Sequence, residues 1–115
     1  MADVVSFSAL RDALTATGYK FAHFGWRKGA KEASQDHGVW GEDDELPLYA
    51  DNAHAEMVMQ GTIDYFTRDD SDAPRTTIEA ALTSYNIPWR LNSIQFENET
   101  GFIHYEWIWE LMPYG

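Results

Sequence analysis

The sequence predicts an α+β fold, a mainly antiparallel sheet with two helices on one face, in the order α-β-(β)-β-α-β-β. Three observations carry that expectation. Ala55, Met57, Met59, Gly61, Ile63 and Tyr65 take one parity while Glu56, Gln60, Thr62 and Asp64 take the other, the period-2 pattern of a strand with one buried face. The pattern returns from Phe102 to Met112, with Ile103, Tyr105, Trp107, Trp109 and Leu111 set against His104, Glu106 and Glu110. Two other segments repeat apolar residues at helical spacing, first Phe7, Leu10 and Leu14, then Ile78, Ala81, Leu82 and Tyr85.

In chain order, the first helix is expected at residues 6 to 17, where Ser6 or Ser8 can cap the first turn and Gly18 stands where a helix stops. Tyr19 to Trp26 alternates as a strand, with Phe21 and His23 on one side and Ala22 and Phe24 on the other. Gly25 and Gly29 end it in a basic, flexible loop holding Arg27, Lys28 and Lys31. A short strand is expected around Val39 and Trp40, interrupted by Gly41-Glu42-Asp43-Asp44-Glu45, with Leu48-Tyr49-Ala50 after it. The long strand over residues 55 to 67 follows. Asp69-Asp70-Ser71-Asp72-Ala73-Pro74 then reads as a helix start, because Ser and Asp side chains cap N-terminal amides and Pro is tolerated in the first turn; Asn86 can close that helix. Trp89 to Phe96 and Phe102 to Met112 form a hairpin around Glu97-Asn98-Glu99-Thr100-Gly101. With both helices laid on one face, Phe7, Leu10, Leu14, Met57, Ile63, Ile78, Leu82, Trp107 and Trp109 are the expected core.

A chain of 115 residues with no repeat, low-complexity tract or linker reads as one domain, 1–115. At this size about two-thirds of the unfolded surface can be buried, so a core needs no staples. The absence of cysteine removes disulfide scaffolds, thiolate zinc sites, iron–sulfur clusters and thiol catalysis. Nineteen acidic against eight basic residues, a net charge of −11, argue against nucleic-acid binding, which needs Lys and Arg to neutralise phosphates. Nine of the acids, and no base, stand between Lys31 and Arg68, giving a negative field suited to a basic partner or to solubility. No apolar run approaches the length of about 18 residues that spans a membrane. The start Met-Ala-Asp-Val-Val-Ser lacks the basic n-region of a signal peptide, so a soluble protein made in the cytoplasm, without membrane contact, is expected.

Candidate chemistry has plain structural readings. His54-Ala55-Glu56 has the H-x-E form of zinc deaminases, but their cysteine partner motif is missing. Asp69-Asp70-Ser71-Asp72 lacks the mid-loop Gly and the terminal Glu of a calcium loop, and helix capping accounts for it. Adjacent acids such as Glu42 to Glu45 splay into water more often than they form a catalytic pair. His23 and His104 sit inside strand patterns, where a histidine commonly pairs with a neighbour. No G-x-S-x-G, Walker-type loop or G-x-G-x-x-G occurs. No catalytic, cofactor-binding or metal-binding residue is assigned, and neither folding nor activity is expected to need a metal or cofactor. Among the tryptophans, Trp107 and Trp109 share the parity of Tyr105 and Leu111 and read as core. Trp26 and Trp40 flank polar loops and read as contact residues instead.

The order of pieces resembles the tail-completion, or tail-terminator, proteins of tailed phages and prophages. The resemblance runs through Tyr19-Lys20-Phe21-Ala22-His23-Phe24, Tyr49-Ala50-Asp51-Asn52, Ile63-Asp64-Tyr65-Phe66-Thr67-Arg68-Asp69 with the acidic helix start, and Asn86-Ile87-Pro88-Trp89 leading into the last hairpin. It implies a non-enzymatic virion assembly protein, a homo-oligomeric and commonly hexameric ring. Such a ring caps the tail tube and meets the head connector at the head–tail junction, after assembly in the host cytoplasm. The chain departs from the family between Gly25 and His37, which is more charged, and between Gly41 and Glu45, which is more acidic; both regions would face partners. Trp26, Arg27, Lys28 and Lys31 with Trp40, Glu42, Asp43, Asp44 and Glu45 are therefore the interface candidates, the tryptophans anchoring and the charges steering. Two other classes remain open. One is an acidic DNA-mimic inhibitor. The other is a small metal-dependent or ligand-dependent enzyme in which the acids at 42 to 45, 51 and 56 converge with His37 or His54.

Overall fold

The computed structural model describes residues 7–43 and 59–111. Helix α1 (Phe7–Ala16) buries Leu10, Ala13 and Leu14, the stripe its spacing demands. Two tight bonds stop it, Thr17 N–H to the Leu14 carbonyl and Gly18 N–H to the Thr15 carbonyl, with Gly18 at φ 81°. Helix α2 (Ala73–Ser84) buries Pro74, Ile78 and Leu82. It closes in a Schellman turn: Asn86 takes φ 60°, its N–H bonds the Thr83 carbonyl, and Ile87 N–H reaches back to Leu82. Ile87 and Leu82 both belong to the core, the apolar contact that accompanies this motif.

Five strands form one sheet in the order β1-β2-β3-β5-β4: β1 (Phe21–His23), β2 (His37–Glu42), β3 (Met59–Thr67), β4 (Trp89–Phe96) and β5 (Ile103–Leu111). Among the described strands only β1 and β2 pair parallel. The α+β class and the element order agree with expectation. α1 and α2 touch each other, and their buried residues join one cluster with Trp40, Ile63, Tyr65, Tyr105, Trp107, Trp109 and Leu111, so both helices cover the same face. Of the expected core, Leu10, Leu14, Ile63, Ile78, Leu82, Trp107 and Trp109 are buried, and Phe7 is half-buried with its ring edge-on to Trp109 at 5.9 Å. Met57, Met112 and the strand expected over 55 to 58 lie outside the described residues, as does Leu48-Tyr49-Ala50.

Several elements differ from expectation for local reasons. β1 is three residues long because Phe24 turns to φ 69° and folds its ring onto His23 instead of alternating, and Gly25 follows at φ 132°. β2 runs six residues through Gly41 and Glu42, held by β1 on one side and β3 on the other. Gly38 leaves room for the Phe21 ring and Gly61 for the Trp109 indole, so these glycines admit aromatic rings over the strands rather than marking turns. The basic loop holds a short 3-10 helix, Lys31–Ser34. At the start of α2, Asp72 occupies the cap position at φ 66° without capping through its side chain; its carboxylate accepts the Tyr105 hydroxyl at 3.0 Å instead. Hydrogen bonding from the Ser71 side chain, and next from Ser71 N–H to Asp69 Oδ1 at 2.9 Å, holds the Asp69 carboxyl below its ordinary pKa.

A bulge in β4 between Leu91 and Ser93 changes its parity. Trp89 and Leu91 face the helices before it; Ile94 and Phe96 do so after it, beyond the helices' cover.

Candidate functional site

Among the described residues, three surfaces of the sheet gather stacked histidines, ion pairs or exposed apolar side chains. The first is the β1 edge. His23 stacks on Trp40 at 3.9 Å, Phe24 stacks on His23 at 4.2 Å, and His23 Nε2 meets Glu42 Oε1 at 2.6 Å. Phe24 is 69% exposed, while Trp40 is only 4% exposed and part of the core. Trp40 is therefore not a surface anchor, contrary to expectation: it lies opposite Ile63 on β3, belongs to the buried cluster and stacks under the His23 ring. Trp26 is half-buried, its Nε1 donating to the Gly38 carbonyl at 3.1 Å. Arg27, Lys28 and Lys31 are exposed, Glu42 is half-buried and Asp43 exposed; Asp44 and Glu45 lie outside the described residues. Glu42 meets His23 across the β1–β2 pair, and the basic stretch lies in the connection between those two strands.

The second surface is the face without helices. Across three strands His37, Phe66 and His104 stack in a row at 4.8 and 4.2 Å, and Phe102 meets His37 edge-on. His37 donates Nδ1–H to the Gln35 carbonyl at 2.7 Å. His104 lies between Asp64, 2.7 Å from Nε2, and Glu97, 3.8 Å from Nδ1. Glu106, opposite Asp64, accepts the Asn92 amide at 2.7 Å. His37 and Glu42 stand at opposite ends of β2 on opposite faces, so the described members of the enzyme constellation do not converge; Asp51, His54 and Glu56 lie outside the described residues. Among the described residues no group of three or more His, Asp or Glu is arranged to hold a metal ion, and no helix is long and apolar enough to cross a membrane.

Burial raises the Asp64 carboxyl above its ordinary pKa, opposed by the His104 hydrogen bond and reinforced by the Glu106 charge. A carboxyl raised on folding binds its proton more tightly in the native state. Its contribution to stability is complete below the unfolded value of 3.8 and is lost as pH rises through the raised folded value. Asp64→Asn should therefore gain stability relative to wild type at neutral pH and lose that advantage towards about pH 4. Urea unfolding of both proteins at the two pH values checks this; a difference independent of pH would contradict it.

The third surface is the hairpin end of β4. Ile94 and Phe96 are 48% and 63% exposed on this edge strand. Glu99 in the turn is exposed and Glu97 half-buried. Arg68 ties this end together: its guanidinium lies 3.9 Å over Phe102, Nε donates to the Thr100 carbonyl and Nη1 to the Ser34 carbonyl, each at 3.0 Å. Asp36 completes the tie by accepting Thr67 Oγ1 at 2.6 Å and Arg68 N–H at 3.1 Å.

Charge and aromatic content pointed to Trp26, Arg27, Lys28 and Lys31. Sequence reasoning does not single out Ile94 and Phe96, although the switch from odd Trp89 and Leu91 to even Ile94 and Phe96 signals the bulge that turns them to the helix-bearing side, where the helices do not cover them. The pairing of His23 and His104 agrees with expectation, but the partners are not visible in sequence because the His104–Asp64 contact joins residues 40 apart and His23–Glu42 residues 19 apart. Compared with protein-family models and with curated proteins, the chain finds no match to either.

Proposed function

We propose that this protein is a non-enzymatic virion assembly protein, a tail-completion subunit that closes into a ring at the head–tail junction and contacts tail-tube and head-connector proteins. The reading starts from the resemblance in order and spacing of the segments from Tyr19 to Trp89. One structural observation supports it: the sheet ends in two unlike edges, β1 with a basic connection beside it and β4 with Ile94 and Phe96 exposed. A head-to-tail ring requires two different, mutually complementary patches on every subunit, and a sheet with two unlike edges offers them.

Native mass of the purified protein, alone and mixed with tail-tube and connector proteins, is the test. A closed ring that binds either neighbour is expected. A chain that stays monomeric at every concentration and binds neither overturns the reading. The exposed acids Asp69, Asp70, Asp72 and Glu99 near the hairpin end favour the DNA-mimic reading second; a monomer or dimer that displaces duplex DNA from a DNA-binding protein would support it.

A further inference from the structure

Charge is divided along this chain. Residues 1–31 hold five of the eight Lys and Arg beside two acids, whereas the remaining seventeen acids are accompanied by three Arg. The fold puts the basic part at one edge of the sheet. Arg11, Tyr19, Lys20, Phe21 and Trp26 line a cleft between α1 and β1, and Arg27 and Lys28 follow directly. Four strand spacings away, about 19 Å, lies the β4 edge with its exposed apolar pair and the turn acids Glu97 and Glu99.

The two edges correspond in level as well as in charge. Cross-strand rows run Phe21, Gly38, Tyr65, Tyr105, Ile94, so Ile94 stands at the height of Phe21. Phe96, two residues on and opposite Ile103, stands at the height of Tyr19 on the same helix-covered side. The basic connection is held at this end by Trp26 on Gly38 and by Ser34 on Arg68, the end at which β4 enters the turn. With two copies side by side in one orientation, β4 of the first runs antiparallel to β1 of the second, the direction that continues the sheet's own alternation. Arg27, Lys28, Lys31 and Glu99 enter no ion pair among the described residues.

We infer that the hairpin end of β4 in one copy docks into the β1-edge cleft of the next, Phe96 and Ile94 against Tyr19, Phe21 and Trp26, with Glu97 and Glu99 facing Lys20, Arg27 and Lys28. The inference rests on the ring reading and names the contact that reading needs. Phe96 is the anchor, because a large ring buried at the centre of a contact carries most of its energy; the charges set orientation and encounter rate.

The experiment breaks each patch separately. Phe96→Ser removes the knob and Thr15→Trp fills the cleft; both sites are exposed, so melting temperatures should stay close to wild type. In native mass measurements each variant alone is expected to be monomeric, with association weakened at least about 30-fold. Mixed together, they should form a 1:1 dimer, since each keeps one sound patch and the contact is head to tail. If wild type forms rings and both variants form them equally well, the docking is wrong while the ring reading stands. If Thr15→Trp dimerises alone and Phe96→Ser does not, the contact joins two β4 edges and the inference is overturned. A wild type that never assembles overturns the ring reading and this contact with it.

Discussion

Trp107→Ala is expected to lower the unfolding free energy by about 3–5 kcal/mol, the cost of emptying a large aromatic site in a packed core. Trp107 is wholly buried, lies between Ile63 and Leu91 in the sheet, and stacks on Tyr105 at 5.8 Å. Its Nε1 donates to Glu79 Oε2 at 3.0 Å, and the same oxygen accepts Arg75 Nε at 3.2 Å, so a single indole joins the sheet centre to α2. Trp107→Phe separates the two contributions. It keeps a six-membered ring but removes the donor together with part of the indole's volume, leaving Glu79 paired with Arg75, and should cost about 1.5–3 kcal/mol. Urea unfolding with an unchanged m-value measures both. Equal losses in the two variants would show that the hydrogen bond, not the ring's volume, dominates.

Gly61→Ala is expected to destabilise by about 3 kcal/mol, although alanine has the lower conformational cost in a strand. A Cβ at Gly61 meets the Gly41 carbonyl oxygen, a backbone atom on β2, and the fully buried indole of Trp109 on β5. Gly38→Ala is the informative comparison. Its obstacle is only the Phe21 ring, which is half-buried on the edge strand and can turn aside, so the loss should be about 1 kcal/mol. Thermal unfolding of the pair checks the order; a Gly61 variant as stable as wild type would mean the sheet can open locally between β2 and β5.

These two sites mark how far the sequence could be read. β3, β5 and both helices were legible because their periodicity is local, residue against near neighbour. β2 is longer than its sequence suggests because Gly41, at the head of an acidic run, looks like a strand break until the Phe24 ring is seen over it. Trp40 was placed at the surface by its polar neighbours in sequence, whereas its burial comes from Ile63 and His23 on other strands. Asp72 was read as a side-chain cap, but the hydroxyl of Tyr105, 33 residues away, claims its carboxylate. The candidate surface divides the same way. Its basic half is a run of adjacent charges, visible in one dimension; its apolar half depends on a bulge and on where the helices stop.

Because β3 pairs with β5 rather than with β4, its ladder encloses the whole of α2 and β4. The β4–β5 hairpin is local and can form within about 1–10 μs, but the central ladder must first close that long loop. A hairpin formed ahead of that closure would present its Trp107 and Trp109 face bare and its β5 edge without a partner strand. Any copy's β3 fits that edge, its own or a neighbour's. At high concentration, β3 of one chain completing the hairpin of another is the strand exchange this topology predicts.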